Sequence, residues 1–187
     1  MRLGNYILTY TDTEFWPLDP RIDEIKTQDI GHALSLLCRG NGHVNHFYSV
    51  GQHSLCCAKE AKVRGYSTRV QLACLMHDGS EAYLSDITRP VKKDLGRYME
   101  IEEKLQTKIY EAYGLSDLTE DELNKMKLVD DAVLKAEMKE LMNFDGIVAE
   151  DLVGNYDLSF RMMSEVEKEF IDLTYILSFA VMQEASK

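Results

Sequence analysis

The chain has 187 residues, 45% of them hydrophobic and 28% charged, which suits one globular domain and excludes a disordered or fibrous chain. Its 21 basic residues against 32 acidic ones leave a net charge of −11. Such a chain grips neither a nucleic-acid polymer nor an anionic membrane well, because both need cations on phosphates; a small phosphate ligand stays compatible, since a bound cation reverses the local field. The four cysteines, Cys38, Cys56, Cys57 and Cys74, form no CxxC pair. That argues against a zinc finger or disulfide framework, and three of them lie in apolar helical patterns and read as small buried hydrophobes. The start, MRLGNYILTY, lacks the apolar stretch of a signal peptide, and no run is long enough to span a membrane, so the expected setting is the reduced cytoplasm.

Residues 1–26 hold the only Trp (Trp16), two of the three prolines and the alternating stretch YILTY, and predict an irregular arm with a short hairpin. From Thr27, a plausible N-cap, the period turns helical: Ile30, Ala33, Leu34 and Leu37 share a face. GNGHVNHFY then interrupts. A second helix is expected from near Ser49 to near Gly65, with Val50, His53, Cys57 and Ala61 in line. A third is expected from Thr68, with Val70, Ala73, Cys74 and His77 in line, ending before Pro90. A fourth covers roughly 94–113, stopped by Gly114. A fifth opens on the capping box Thr119–Glu122 and aligns Leu123, Met126, Asp130, Val133, Leu134, Glu137 and Leu141; a last helix covers about 164–184. The chain reads as a single all-α bundle. It divides into an arm (1–26), a helical core (27–145) and a C-terminal helical packing segment (146–187).

Four polar residues fall in or beside these apolar stripes: His53, His77 with Asp78 after it, and Asp130. A core-facing carboxylate is costly unless it is paired or binds a metal. Two imidazoles and two carboxylates make a mixed N/O set that suits Mn, Fe, Co, Ni or Zn better than Ca. Glu81 follows one turn after His77 and Asp78, within reach of a ligand at the same point.

In this order the residues resemble a known family. YSVGQHS, LACLMHDGSEAYLSDITRPVK and KLVDDAVLKAEMKEL are similar to the HD-domain phosphohydrolases. The branch with bacterial 5′-deoxynucleotidases and phage-type dATP triphosphohydrolases is the nearer match, over roughly residues 18–145. The resemblance implies an HD-domain helical bundle holding one divalent metal (Mn, Co, Fe, Ni, Zn or Mg) on His53, His77, Asp78 and an Asp of the fifth helix. Asp130 is chosen over Asp131 because it shares a face with Val133 and Glu137. The resemblance further implies that Glu81 and Asp86 orient or deprotonate the attacking water, and that Arg39 contacts substrate phosphate. Thr88, Lys92 and the loop residue His43 are further phosphate-side candidates. Gln52 departs from the Glu that commonly precedes the first ligand His, and Gly40 from the Trp that 5′-deoxynucleotidases carry near the sugar and base.

The expected activity is therefore hydrolysis of a phosphate ester or anhydride of a small (deoxy)nucleotide. The substrate is either a dNMP, or a dNTP of the dATP type with a second metal near Glu81 and Asp86. The resemblance also implies a homodimer or higher homo-oligomer. The alternatives are a non-catalytic HD module that senses a nucleotide, and a phosphodiesterase on cyclic nucleotides. His32 is a candidate brace for Arg39 or a ligand, His46 reads as a solvated loop residue, and Trp16 as an anchor for the arm.

Overall fold

The computed structural model describes residues 2–185, which are mostly helical. The arm forms a two-stranded antiparallel hairpin, β1 (Ile7–Leu8) against β2 (Glu14–Phe15), in which Ile7 faces Phe15. Asp29 holds its turn: one carboxylate accepts from the Thr11 amide (2.8 Å) and from the hydroxyls of Thr9 (2.9 Å) and Thr11 (3.0 Å). Phe15 is fully buried and stacks on Tyr83 at 4.0 Å, so the arm is part of the core.

Helix α1 (Thr27–Leu36) starts at its predicted cap, one residue earlier than expected. Lys26 occupies the N-cap without a side-chain bond, and the Thr27 hydroxyl pairs instead with the Tyr113 hydroxyl at 2.9 Å. A tight turn over Arg39–Gly42 follows, with Gly40 and Asn41 in left-handed conformation. Helix α2 (Val50–Val63) is capped by Ser49, whose hydroxyl accepts from the Gln52 amide; α3 (Thr68–Met76) is capped likewise by Ser67.

The third helix does not run on toward Pro90. It ends at Met76, with His77 as C-cap, and resumes as short helices α4 (Glu81–Leu84) and α5 (Arg89–Lys92), the second opened by Pro90. The cause lies on α6 (Gly96–Ala112). A Cβ on Gly79 would sit 3.2 Å from the Ile109 side chain, so α6 approaches the backbone closely here. Gln106 splints the break, donating to the Met76 carbonyl (2.7 Å) and accepting from the Ser80 amide (3.0 Å). The Ser80 amide is thereby satisfied, and the Met76 carbonyl takes Gln106 beside the Gly79 amide.

The predicted capping box opens α7 (Glu120–Met142), with Thr119 and Glu122 bonding reciprocally. Its buried face is Val129, Ala132, Val133, Glu137 and Leu141; Leu123, expected in that line, is exposed. Residues 143–162, expected to belong partly to a helical segment, carry no regular structure, and α8 (Met163–Ala185) follows. Helix α8 lies across α1 and α3, while α7 packs on α2 and α3. Two apolar clusters result, one around Phe15, Leu34, Leu72, Leu105 and Phe170, the other around Tyr48, Cys57, Cys74, Val129 and Val133. No helix among the described residues is long and apolar enough to cross a membrane.

Candidate metal centre

His53 on α2, His77 at the end of α3 and Asp130 on α7 converge. The Nε2 atoms of the two histidines lie 3.3 Å apart, and Asp130 Oδ1 is 3.2 Å from His53 Nε2 and 3.7 Å from His77 Nε2. Donors bonded at 2.0–2.1 Å to a tetrahedral ion stand about 3.4 Å from one another, so this spacing fits a first-row divalent metal. Asp78 Oδ2 lies 3.4 Å from His77 Nε2 and 3.8 Å from His53 Nε2. Asp131 turns away and pairs with Lys127 at 2.6 Å.

The outer nitrogens are also committed. His53 Nδ1 donates to Glu137 Oε1 at 2.8 Å, and His77 Nδ1 donates to the Cys74 carbonyl at 2.7 Å. Each ring thus keeps its Nδ1 proton and turns Nε2 inward, the nitrogen that a metal takes once the proton there is displaced. The residues present therefore fit a divalent ion. Cys57, read from sequence only as a buried hydrophobe, places its sulfur 3.5 Å from His53 Nε2. One donor atom from each of His53, Cys57, His77 and Asp130 lies within 4.8 Å of all the others.

Arg39 stands over the cluster. Its NH1 donates to Asp78 Oδ2 (3.4 Å) and its NH2 to Glu137 Oε2 (3.3 Å). Burial opposes charge on every one of these groups, and their mutual attraction outweighs it. The arginine is held charged by Glu137, Asp78 and Asp130. His77 is pushed up to about 9, because Asp78 and Asp130 overcome its burial. Asp130 lies well below the usual carboxylate range, its burial offset by His53 and His77. Glu81 behaves in the opposite sense: burial first, then Asp78 and Asp86, push its carboxyl up to about 9. It is buried, and its Oε2 has no hydrogen-bond partner.

Two cavities flank the cluster. One, of about 590 Å³, is lined by His77, Asp78, Glu81 and Lys92 together with Gln106 and Tyr110 of α6. The other, also about 590 Å³, is lined by Arg39, His43, Asp86, Thr88 and Arg89 at a polar end. Its apolar wall comes from Leu134, Met138, Leu141, Met142 and Ile147. The expected site residues thus divide: Glu81 and Lys92 on the first side, Arg39, His43, Asp86 and Thr88 on the second. Lys92 is committed to Glu102 at 2.5 Å. Arg89, not anticipated, bonds Asp130 Oδ2 at 3.3 Å, and only its place beside Pro90 in a charged loop hinted at it. His32 does not reach Arg39; it stacks on Tyr10 and meets Glu167 at 3.1 Å. His46, expected in solvent, bonds the Leu158 carbonyl at 3.0 Å. Buried Gln52 donates to the Ser159 carbonyl at 2.9 Å, tying α2 to the irregular segment. Trp16 carries Arg2 over its ring at 4.3 Å, within the arm.

An all-α protein with a buried His/Cys/Asp cluster able to bind a metal ion is thereby defined. The chain is 34% identical over 142 residues to the uncharacterized protein YfdR of Escherichia coli, a match covering 76% of this chain and 75% of YfdR, and it belongs to the same family. It is also 31% identical over 147 residues to an uncharacterized protein of Rhodobacter capsulatus, covering 75% of this chain and 74% of the relative. No family model matches it.

Proposed function

We propose that the chain is a divalent-metal-dependent phosphohydrolase of the HD type acting on small (deoxy)nucleotides. The observation that carries this reading is the junction of His53, His77, Asp78 and Asp130 with Arg39, a cation already aimed at the cluster through Asp78. Together with the two cavities beside it, this offers a charged end for a phosphate and an apolar wall for a base.

A divalent ion in the cluster supplies Lewis-acid polarisation of a phosphoryl group and a lowered pKa for water. The chain's own residues do the rest. His53, His77, Asp78 and Asp130 hold the ion, and Glu137 and the Cys74 carbonyl orient the imidazoles. The Arg39 guanidinium uses part of its five-donor fork on Asp78 and Glu137 and keeps the remainder for phosphoryl oxygens. Glu81, with a free carboxyl oxygen on a cavity wall, takes or gives the proton. The apolar wall of Leu134, Met138, Leu141 and Ile147 receives the base by contact.

The test is a product assay. Metal-supplemented protein is incubated with each dNMP and each dNTP, and released phosphate, diphosphate and triphosphate are resolved. Inorganic phosphate from monophosphates identifies a 5′-nucleotidase, and intact triphosphate from one dNTP identifies attack at the α-phosphorus. No product from any of them by protein that holds its metal overturns the enzymatic reading in favour of a nucleotide sensor.

A further inference from the structure

We propose that Cys57 is a sulfur ligand of this centre, so that its resident ion is a borderline-soft one, zinc above all, rather than magnesium or manganese. The inference rests on the metal-centre reading and deepens it. Cys57 follows His53 by one helical turn on α2, which puts both side chains on the same face. Both are buried, the cysteine at 1% exposure and the histidine at 0%. Zinc–sulfur and zinc–nitrogen bonds of about 2.3 and 2.0–2.1 Å at a tetrahedral angle set the two donors about 3.5 Å apart. The observed separation of Cys57 Sγ from His53 Nε2 is 3.5 Å. Residues one turn apart on a helix reach that distance by packing alone, so the weight of the inference falls on Cys57 Sγ lying within 4.8 Å of the His77 and Asp130 donors as well.

The other cysteines differ. Cys56, the next residue, turns to the Tyr48 hydroxyl at 3.5 Å, and Cys74 contributes its backbone carbonyl to His77. Asp78 is shared with Arg39 at 3.4 Å, and Cys57 joins His53, His77, Asp78 and Asp130 as a fifth donor, short of the six that would fill an octahedral shell. A thiolate favours zinc or iron over the hard ions that carboxylates and water suit, which gives the choice of metal a structural cause.

The probe is cobalt(II) loaded into the full-length protein, with stoichiometry from equilibrium dialysis and absorption read in the near ultraviolet. A thiolate ligand produces an intense charge-transfer band there that nitrogen and oxygen ligands do not. The expected result is one cobalt per chain with the band present. In Cys57→Ala the band is lost while cobalt remains bound and zinc affinity falls at least tenfold; Cys56→Ala keeps the band. Stoichiometric cobalt without the band, or a band that survives in Cys57→Ala, overturns the proposal and leaves the metal centre standing. Failure of the wild type to retain cobalt or zinc sinks the metal-centre reading itself. Should Cys57→Ala not fold, X-ray absorption on the wild-type zinc protein decides. A sulfur shell at about 2.3 Å supports Cys57, and a shell of nitrogen and oxygen alone overturns it.

Discussion

Glu137 joins the two halves of the site: it accepts from His53 Nδ1 on one oxygen and from Arg39 on the other. Burial would raise its pKa, and His53 and Arg39 more than offset that, so it stays ionised. Glu137→Gln keeps the shape and removes the charge that orients the imidazole and raises its basicity. Zinc affinity, measured by competition with a chromogenic chelator, should fall about 10- to 100-fold, the usual effect of losing such a partner. Glu81→Gln should do the reverse: a glutamine resembles a neutral carboxyl, so metal affinity and fold persist while turnover collapses. The spacing of His53, His77, Asp78 and Asp130 was legible in the sequence because polar residues in or beside apolar stripes need a reason; Glu137 lay in such a stripe but was not read as part of the site. Cys57 was not, since a cysteine in such a stripe already has one. Arg89 was not either, since the loop fold alone carries it back to Asp130.

At the scale of elements, helix starts were readable and helix ends less so. Ser49, Ser67 and Thr119 act through bonds three residues away, which sequence displays. The end of α3 at Met76 depends on Gly79 meeting Ile109 and on Gln106 reaching across from α6, contacts distant in the chain. The irregular segment 143–162 is likewise held from afar, by Glu60 of α2. Its carboxylate accepts from the amides of Val153 (2.8 Å) and Gly154 (3.0 Å), the Tyr156 hydroxyl (2.8 Å) and Arg64 Nε (2.8 Å). Burial pushes Glu60 up, and those two amides, with Arg64 and Tyr156, bring it below the ordinary range. A carboxylate depressed by folding stabilises above its unfolded pKa, about 4.3, and loses that contribution as pH falls through the folded value. Glu60→Gln should therefore be less stable than wild type at neutral pH by about 1.5–3 kcal/mol, typical of hydrogen bonds to a charged group. In urea unfolding the gap should be full above about pH 5 and close on acidification. A gap independent of pH would show that charge is not what the clasp uses.

Over the whole molecule, helical periodicity told the architecture, but only the assembled structure shows that the turn after α3 and helix α7 bring Asp78, Asp130 and Glu137 around the two histidines, with Arg39 bonded to Asp78 and Glu137. With neutral histidines such a cluster is negative. The carboxylates accordingly hold protons on the imidazoles: His77 is pushed up to about 9 and His53 is raised by Glu137 and Asp130 against burial and Arg39. A divalent ion replaces those protons, so metal uptake and histidine deprotonation are one equilibrium. The ion also ties together α2, the end of α3 and α7, taking over the charge balance that the imidazole protons supply without it. Free zinc at a hundred times its dissociation constant should stabilise the fold by about 2.7 kcal/mol. For a chain of this size that corresponds to a rise of roughly 5–10 °C in Tm, measured by calorimetry and reversed by a chelator. Because protons compete for His53 and His77, the rise at fixed total zinc should be larger at pH 8 than at pH 6. In Asp130→Ala it should vanish, since one of the carboxylates that draws both the protons and the metal is gone. A rise that stays the same across that interval would mean the histidines are already neutral without metal, and that the buried carboxylates are balanced by Arg39 and Arg89 instead.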